Sequence, residues 1–164
     1  MSKDSNQHMI PDGGQDKKVL SPDRYTQFVI DTFSKWSNHI SVQEGIIFLL
    51  IKGEHQPITL VAMGDEQSKM VTIFARFSEF CPPDKRHQLA QKLNVINFDV
   101  HIGCWSVDEE DGEIRYRITQ YFSQLPTIQE LQTLTSYLVA GMDLVTKDIL
   151  ELLAMSEEDV PSKT

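Results

Sequence analysis

NFDVHIGCWSVDEEDGEIRYRITQYF, residues 97–122, reads as two β-strands joined by an acidic turn. Val100, Ile102 and Cys104 alternate with His101, Gly103 and Trp105, and on the return Ile114, Tyr116 and Ile118 alternate with Arg115, Arg117 and Thr119. Residues that pair across a hairpin share a face, so the apolar sets should oppose one another. A two-residue Asp111-Gly112 turn sets Cys104 against Thr119 and mixes the faces. A three-residue loop, Glu110-Asp111-Gly112, sets Cys104 against Ile118 and Trp105 against Arg117, and puts Gly112 where a left-handed residue is needed. That register is the one expected. It sends Val100, Ile102, Cys104, Ile114, Tyr116 and Ile118 to the core.

Upstream, Ser21-Pro22-Asp23 reads as a helix start, with Ser21 as N-cap. Tyr25, Phe28, Val29, Thr32, Phe33 and Trp36 then form one apolar face. The runs 46–52, 58–63 and 69–77 read as three strands of an antiparallel meander, the first buried on much of both faces. Pro82-Pro83-Asp84 opens a second helix with Leu89, Leu93 and Ile96 inward. Thr127 with Glu130 makes a capping box for a long last helix. Ile128, Leu131, Leu138, Met142, Val145, Ile149 and Leu152 form its stripe, widened by Leu134, Leu144, Leu150 and Leu153, and part of that width is available to a second subunit. Gly141, in the middle of that helix, signals a close approach to another element. The order α-β-β-β-α-β-β-α predicts an α+β fold, a five-stranded, largely antiparallel sheet with helices packed on it. Residues 1–20 and 156–164 are expected to be disordered, flanking one domain at 21–155.

The totals fit one such domain: 164 residues, 40% hydrophobic and 24% charged. A net charge of −9 argues against nucleic acid or an anionic membrane as the main partner. Two cysteines, Cys81 and Cys104, make no disulfide framework, no signal peptide is visible, and the location expected is the cytoplasm.

Chemistry-bearing patterns are few. Asp99, His101 and Cys104 suggest a thiol nucleophile with its base, but His101 and Cys104 lie three apart on one strand and face opposite ways. The turn at 107–112 has Val107 where a calcium loop needs its first oxygen ligand. The five histidines lack metal-ligand spacing, and no phosphate-loop, dinucleotide, nucleophile-elbow or zinc-protease motif occurs. No catalytic, cofactor-binding or metal residue is therefore assigned, and no cofactor is expected. The second row of the hairpin is less bland, because it brings Trp105 opposite Arg117 and His101 opposite Tyr121. Trp105, Arg115, Arg117 and Tyr121 are candidate partner contacts, being residue types common at interface hot spots.

The segment Asn94 to Met155 resembles the carboxy-terminal half of YbjN-type bacterial proteins. It has an Asn near the end of the second helix (Asn97), a strand, the turn and strand DEEDGEIRYR (108–117), then a long amphipathic helix. The resemblance extends over roughly 20–155, with the amino-terminal half agreeing in element order. It departs from that pattern in lacking an aromatic doublet at Gly103-Cys104-Trp105 and in its longer polar leader. What it implies is a fold similar to type III secretion chaperones, which are small, acidic, usually dimeric and bind an extended segment of a partner protein without catalysis. Proteins of the YbjN type are grouped as sensory transduction regulators. The expected function is a non-enzymatic protein-binding module, chaperone-like or regulatory, acting as a homodimer. The alternative is a small-molecule-sensing domain using Arg76, Arg115 or Arg117.

Overall fold

A computed structural model describes residues 21–37 and 39–155. The expected leader and tail, 1–20 and 156–164, lie outside those residues. The elements are α1 (Arg24–Trp36), β1 (Ile40–Gln43), β2 (Ile46–Lys52), β3 (Pro57–Asp65), β4 (Met70–Phe80), α2 (Arg86–Asp99), β5 (Cys104–Val107), β6 (Glu113–Tyr121) and α3 (Ile128–Ala154). The α+β class and helix order are those expected. The sheet has six strands rather than five, in the order β1-β2-β3-β4-β6-β5, with every neighbouring pair antiparallel.

The additional strand is β1. Its link to β2 is the pair Glu44-Gly45, at φ 51° and 83°. Positive φ at both central residues is the hairpin turn that matches strand twist. Glu is a poor advertisement for it, and ISVQ is too short and polar to announce a strand.

All three helices pack on one face. Tyr25, Val29 and Phe33 of α1, Leu89 and Leu93 of α2, and Leu131, Leu138, Met142 and Ile149 of α3 join a single core with Ile47, Leu49, Leu60, Ile73, Ala75, Ile114 and Ile118. The aromatic stripe of α1 and the stripe of α3 therefore point inward as their spacing predicts. The exceptions are Ile128, 43% exposed in the first turn, and Leu144, 80% exposed on the back of α3. Gly141 makes the close approach its position implies: a Cβ there would stand 2.3 Å from Cε1 of Tyr116.

Two helix starts differ from expectation. Asp23, not Ser21, caps α1, its Oδ1 accepting from the Thr26 N–H at 2.7 Å. Its second oxygen accepts from the Glu66 N–H at 3.2 Å, so one carboxylate ties the helix start to the β3–β4 turn. A serine hydroxyl has no second oxygen for that. The α2 helix begins at Arg86, past Pro82-Pro83, with Lys85 before it. The Lys85 ammonium instead donates to the carbonyls of Leu153 and Met155, satisfying acceptors that the end of α3 leaves open. The α3 capping box between Thr127 and Glu130 is present as expected.

The hairpin register is off by one. Cys104 pairs with Arg117, Trp105 with Tyr116, Ser106 with Arg115 and Val107 with Ile114. Asp108 donates to the Glu113 carbonyl at 2.9 Å and Gly112 to the Asp108 carbonyl at 3.0 Å, leaving a four-residue loop, 109–112. The carboxylates of Asp108 and Asp111 accept from the N–H groups of Glu110 and Glu113, both at 2.8 Å. Gly112, at φ 84°, lies where any Cβ would come 2.1 Å from the Cys81 carbonyl oxygen. Arg86 holds the loop from outside, donating to the carbonyls of Glu109 and Glu110 at 2.7 and 3.1 Å.

A one-residue slip moves every side chain of a strand to the other face. Trp105 is thereby buried, 3% exposed, and Cys104 is turned out. The physical reason is area: an indole carries far more apolar surface than a thiol, so the register that buries Trp105 wins. Val100 and Ile102 are not in a strand, because α2 runs on to Asp99.

Candidate partner-binding face

The sheet has a second face on which no helix rests among the described residues. Its central row runs Phe48, Val61, Phe74, Arg117 and Cys104 in direct cross-strand register. Val61 is 2% exposed although it lies outside the helix-side core, because Phe48 and Phe74 flank it. Ile46, Phe48, Met63 and Phe74 are half-buried, and Leu50 is 60% exposed. The β2 strand is thus buried on one face only, not on both as its apolar run suggests.

Beside this row lies a charged cluster. Arg76 and Arg115 are direct cross-strand partners, an arrangement that would repel by itself. Glu113 relieves it by pairing with both, at 2.8 Å to Arg76 Nη2 and in close contact with Arg115 Nε. The Glu113 carboxylate raises the Arg115 guanidinium further above its ordinary value. The Arg115 guanidinium carbon lies 5.7 Å from the centre of the Phe74 ring, so the cation–π pair is Arg115 with Phe74 rather than Arg117 with Trp105. Arg117, paired with Phe74 across the ladder, makes no ion pair among the described residues. Asp108 and Asp111 of the β5–β6 loop also lie near enough to act on Arg115, so its charge is shared among several carboxylates. Thr72 and Thr119 complete the row below with a hydroxyl–hydroxyl contact at 3.1 Å.

Of the four side chains singled out from the sequence, Arg115, Arg117 and Tyr121 lie on this face. Tyr121 stands at its far end beside Met70, 54% exposed. Trp105 does not belong to the set. It stacks on Tyr116 on the helix side, ring centroids 5.0 Å apart at 23°. His101 lies outside the strands and does not oppose Tyr121. Phe48, Leu50, Val61 and Met63 were missed because strands apolar on both faces do not say which face helices will cover. Besides β6, the β4 strand carries a readable signal, with Phe74 and Arg76 alternating against Val71 and Ile73.

The two sheet edges also differ. On β5, the Asn97 side chain accepts from the Trp105 N–H at 2.7 Å and donates to its carbonyl at 2.9 Å, so a helix side chain occupies the strand edge. The β1 edge has no neighbouring strand among the described residues and carries only Ile40, Ser41, Val42 and Gln43.

Cys81 is buried, and burial pushes its thiol up from the ordinary value. Among the described residues, no group of three or more His, Cys, Asp or Glu side chains is placed to hold a metal ion, and no helix is long and apolar enough to cross a membrane.

No family model matches the sequence, and no curated protein matches it either. A solved structure does match in fold, the crystal structure of YbjN from E. coli, a candidate transcription regulator. The alignment has a TM-score of 0.57, covers 79% of this chain and 94% of that one, and has 9% sequence identity. The six-stranded sheet with its three helices is therefore similar to the fold of E. coli YbjN.

Proposed function

We propose that this protein is a non-enzymatic protein-binding module with a regulatory or chaperone-like role, which receives an extended, acid-bearing segment of a partner protein on its open sheet face. The observation that carries the reading is the uncovered row Phe48–Val61–Phe74 ending at Arg117. Half-buried apolar side chains supply area that a partner's apolar residues can desolvate, and Arg117 offers a partner carboxylate a charge-assisted hydrogen bond. Arg117, without an ion-pair partner among the described residues, favours a segment carrying Asp or Glu. The likeness of fold to a candidate transcription regulator supports a regulatory role. The module acts as a homodimer, and the β1 edge, which has no neighbouring strand among the described residues, suits self-pairing, unlike the β5 edge closed by Asn97.

Photo-crosslinking tests the reading. A crosslinking residue at Thr119, on the open face, should capture a defined partner segment in cells, and one at Gln91, on the outside of α2, should not. Phe74→Asp should abolish the Thr119 product. Capture from Gln91 alone, or capture from Thr119 that survives Phe74→Asp, would overturn the assignment. Light scattering of the full chain should give twice the monomer mass.

A further inference from the structure

A separate surface lies on the helix side, across the sheet from the partner-binding face and independent of that reading. Helices α2 and α3 are antiparallel neighbours: Lys85 reaches the carbonyls of Leu153 and Met155, Lys92 reaches Asp148, and Asp99 shares a cleft with Leu144. Val95, Phe98 and Ile102 follow at spacings of three and four, the last just beyond α2, and Tyr137, Ala140 and Leu144 repeat those spacings on α3. Phe98 is 92%, Leu144 80% and Val95 67% exposed, and Tyr137 is half-exposed. Val95 lies one turn from both Lys92 and Asp99, so it belongs to the flank of α2 that meets α3. A single exposed apolar residue needs no explanation, but two such rows on adjacent helices mark an interaction surface.

Charge decides what it would take. Ala140 and Leu144 divide two clefts, one toward the α2–β5 connection and one toward the β2–β3 link. Glu54, Asp99, Asp143 and Asp148 line them against Lys147 alone, with the lining histidines, His55 and His101, counted as neutral. Lys147 lies 3.9 Å from Glu151, and Lys92 pairs with Asp148 at 3.5 Å, so both lysines of this surface already face a carboxylate. Glu54, Asp99 and Asp143 make no ion pair among the described residues. Lys52, close to Glu54 in sequence, alternates onto the open face with Phe48 and Leu50. A second copy docked symmetrically would bring two acidic rims together, and an anionic membrane would meet the same repulsion. A partner bearing cations gains from its charges as well as its apolar residues.

We propose that the outer seam of α2 and α3 receives an amphipathic helix of a partner protein, apolar on one face and flanked by lysine or arginine. Two adjacent helices offer a third the groove between them. From Tyr137 to Leu144 is a rise of about 10 Å, so a partner helix of about three turns covers the apolar rows.

The probe is a leucine–lysine–alanine peptide of about four helical turns with its leucines on one face. One control replaces every lysine by glutamate, and another keeps the composition but spreads the leucines around the helix. In a proton–nitrogen spectrum of the full chain, the probe should shift the amides of Phe98 and Leu144 saturably, with Kd of about 100 μM in low salt, and leave that of Phe74 still. Raising the salt should weaken it about tenfold. The glutamate peptide should not bind, and the dispersed one should bind about tenfold more weakly. Leu144→Lys, at an exposed position, should abolish binding. Asp99→Asn with Asp143→Asn should weaken it about tenfold and flatten its salt dependence, while position 143 keeps the oxygen that accepts from the Glu54 N–H at 2.9 Å. Equal binding of the two leucine arrangements, glutamate peptide binding as tightly as the lysine peptide, or binding that survives Leu144→Lys would each overturn the proposal. So would a halving of the light-scattering mass by Leu144→Lys, which would give the face to a second copy. Sedimentation with phosphatidylcholine vesicles that Leu144→Lys abolishes would overturn it too, giving the face to lipid.

Discussion

The two faces of the sheet carry parallel cross-strand rows one residue apart. On the helix side the row is Leu49, Leu60, Ala75, Tyr116 and Trp105, and on the open side it is Phe48, Val61, Phe74, Arg117 and Cys104. From β2 to β4 the two rows are similarly apolar. They diverge at β6 and β5, where one ends in stacked aromatic rings and the other in arginine and a half-exposed thiol. Covering by helices, rather than strand composition, therefore separates core from surface over half the sheet. Arginine marks the open face over the other half.

The comparison is broken most directly at its two aromatic residues. Trp105→Ala should lower unfolding stability by about 3–5 kcal/mol, because it empties a filled core site. Phe74→Ala, one row over and half-exposed, should cost only about 1 kcal/mol. Equal losses in urea unfolding would mean that the open face is covered in solution. Asn97→Ala tests what holds Trp105 inward. It leaves the Trp105 N–H and carbonyl without their side-chain partner, should cost about 1–2 kcal/mol, and should speed hydrogen exchange at the Trp105 amide above that of Tyr116.

Glu113→Gln sharpens the electrostatic half of the comparison. It leaves Arg76 and Arg115 opposed without a counter-charge and should cost about 1 kcal/mol in low salt. The loss should shrink as salt is raised, and a salt-independent loss would point to packing instead. The smallest effect is expected at the start of α3. There the Thr127 N–H, with help from its hydroxyl, holds the Glu130 carboxyl below its ordinary 4.5. A lowered folded-state value means stability that is present above 4.5 and lost as pH falls through the lower folded value. Glu130→Gln should flatten that part of the melting-temperature profile in acid and leave neutral pH little changed.

Much of this architecture is legible in the chain. The Thr127–Glu130 cap, the α3 stripe and the tight approach at Gly141 follow from local chemistry, because caps and helical spacing act over a few residues. The β1 strand was not legible, since its turn rests on a glutamate held at positive φ. The candidate site was half legible. Arg115, Arg117 and Tyr121 alternate visibly along β6, but their neighbours Phe48, Val61 and Phe74 come from strands remote in sequence.

The 97–122 stretch divides the two kinds of information most sharply. Its sequence by itself determines that β6 turns Ile114, Tyr116 and Ile118 one way and the arginines the other, because strand alternation admits no other arrangement. Tertiary structure alone decides that Trp105 joins Tyr116. That choice rests on Arg86 gripping the loop, Asn97 closing the strand edge and the space that Gly141 leaves on α3. Each of these contacts reaches β5 or its loop from another element, and a one-residue difference in register is too small for local pairing preferences to settle without them.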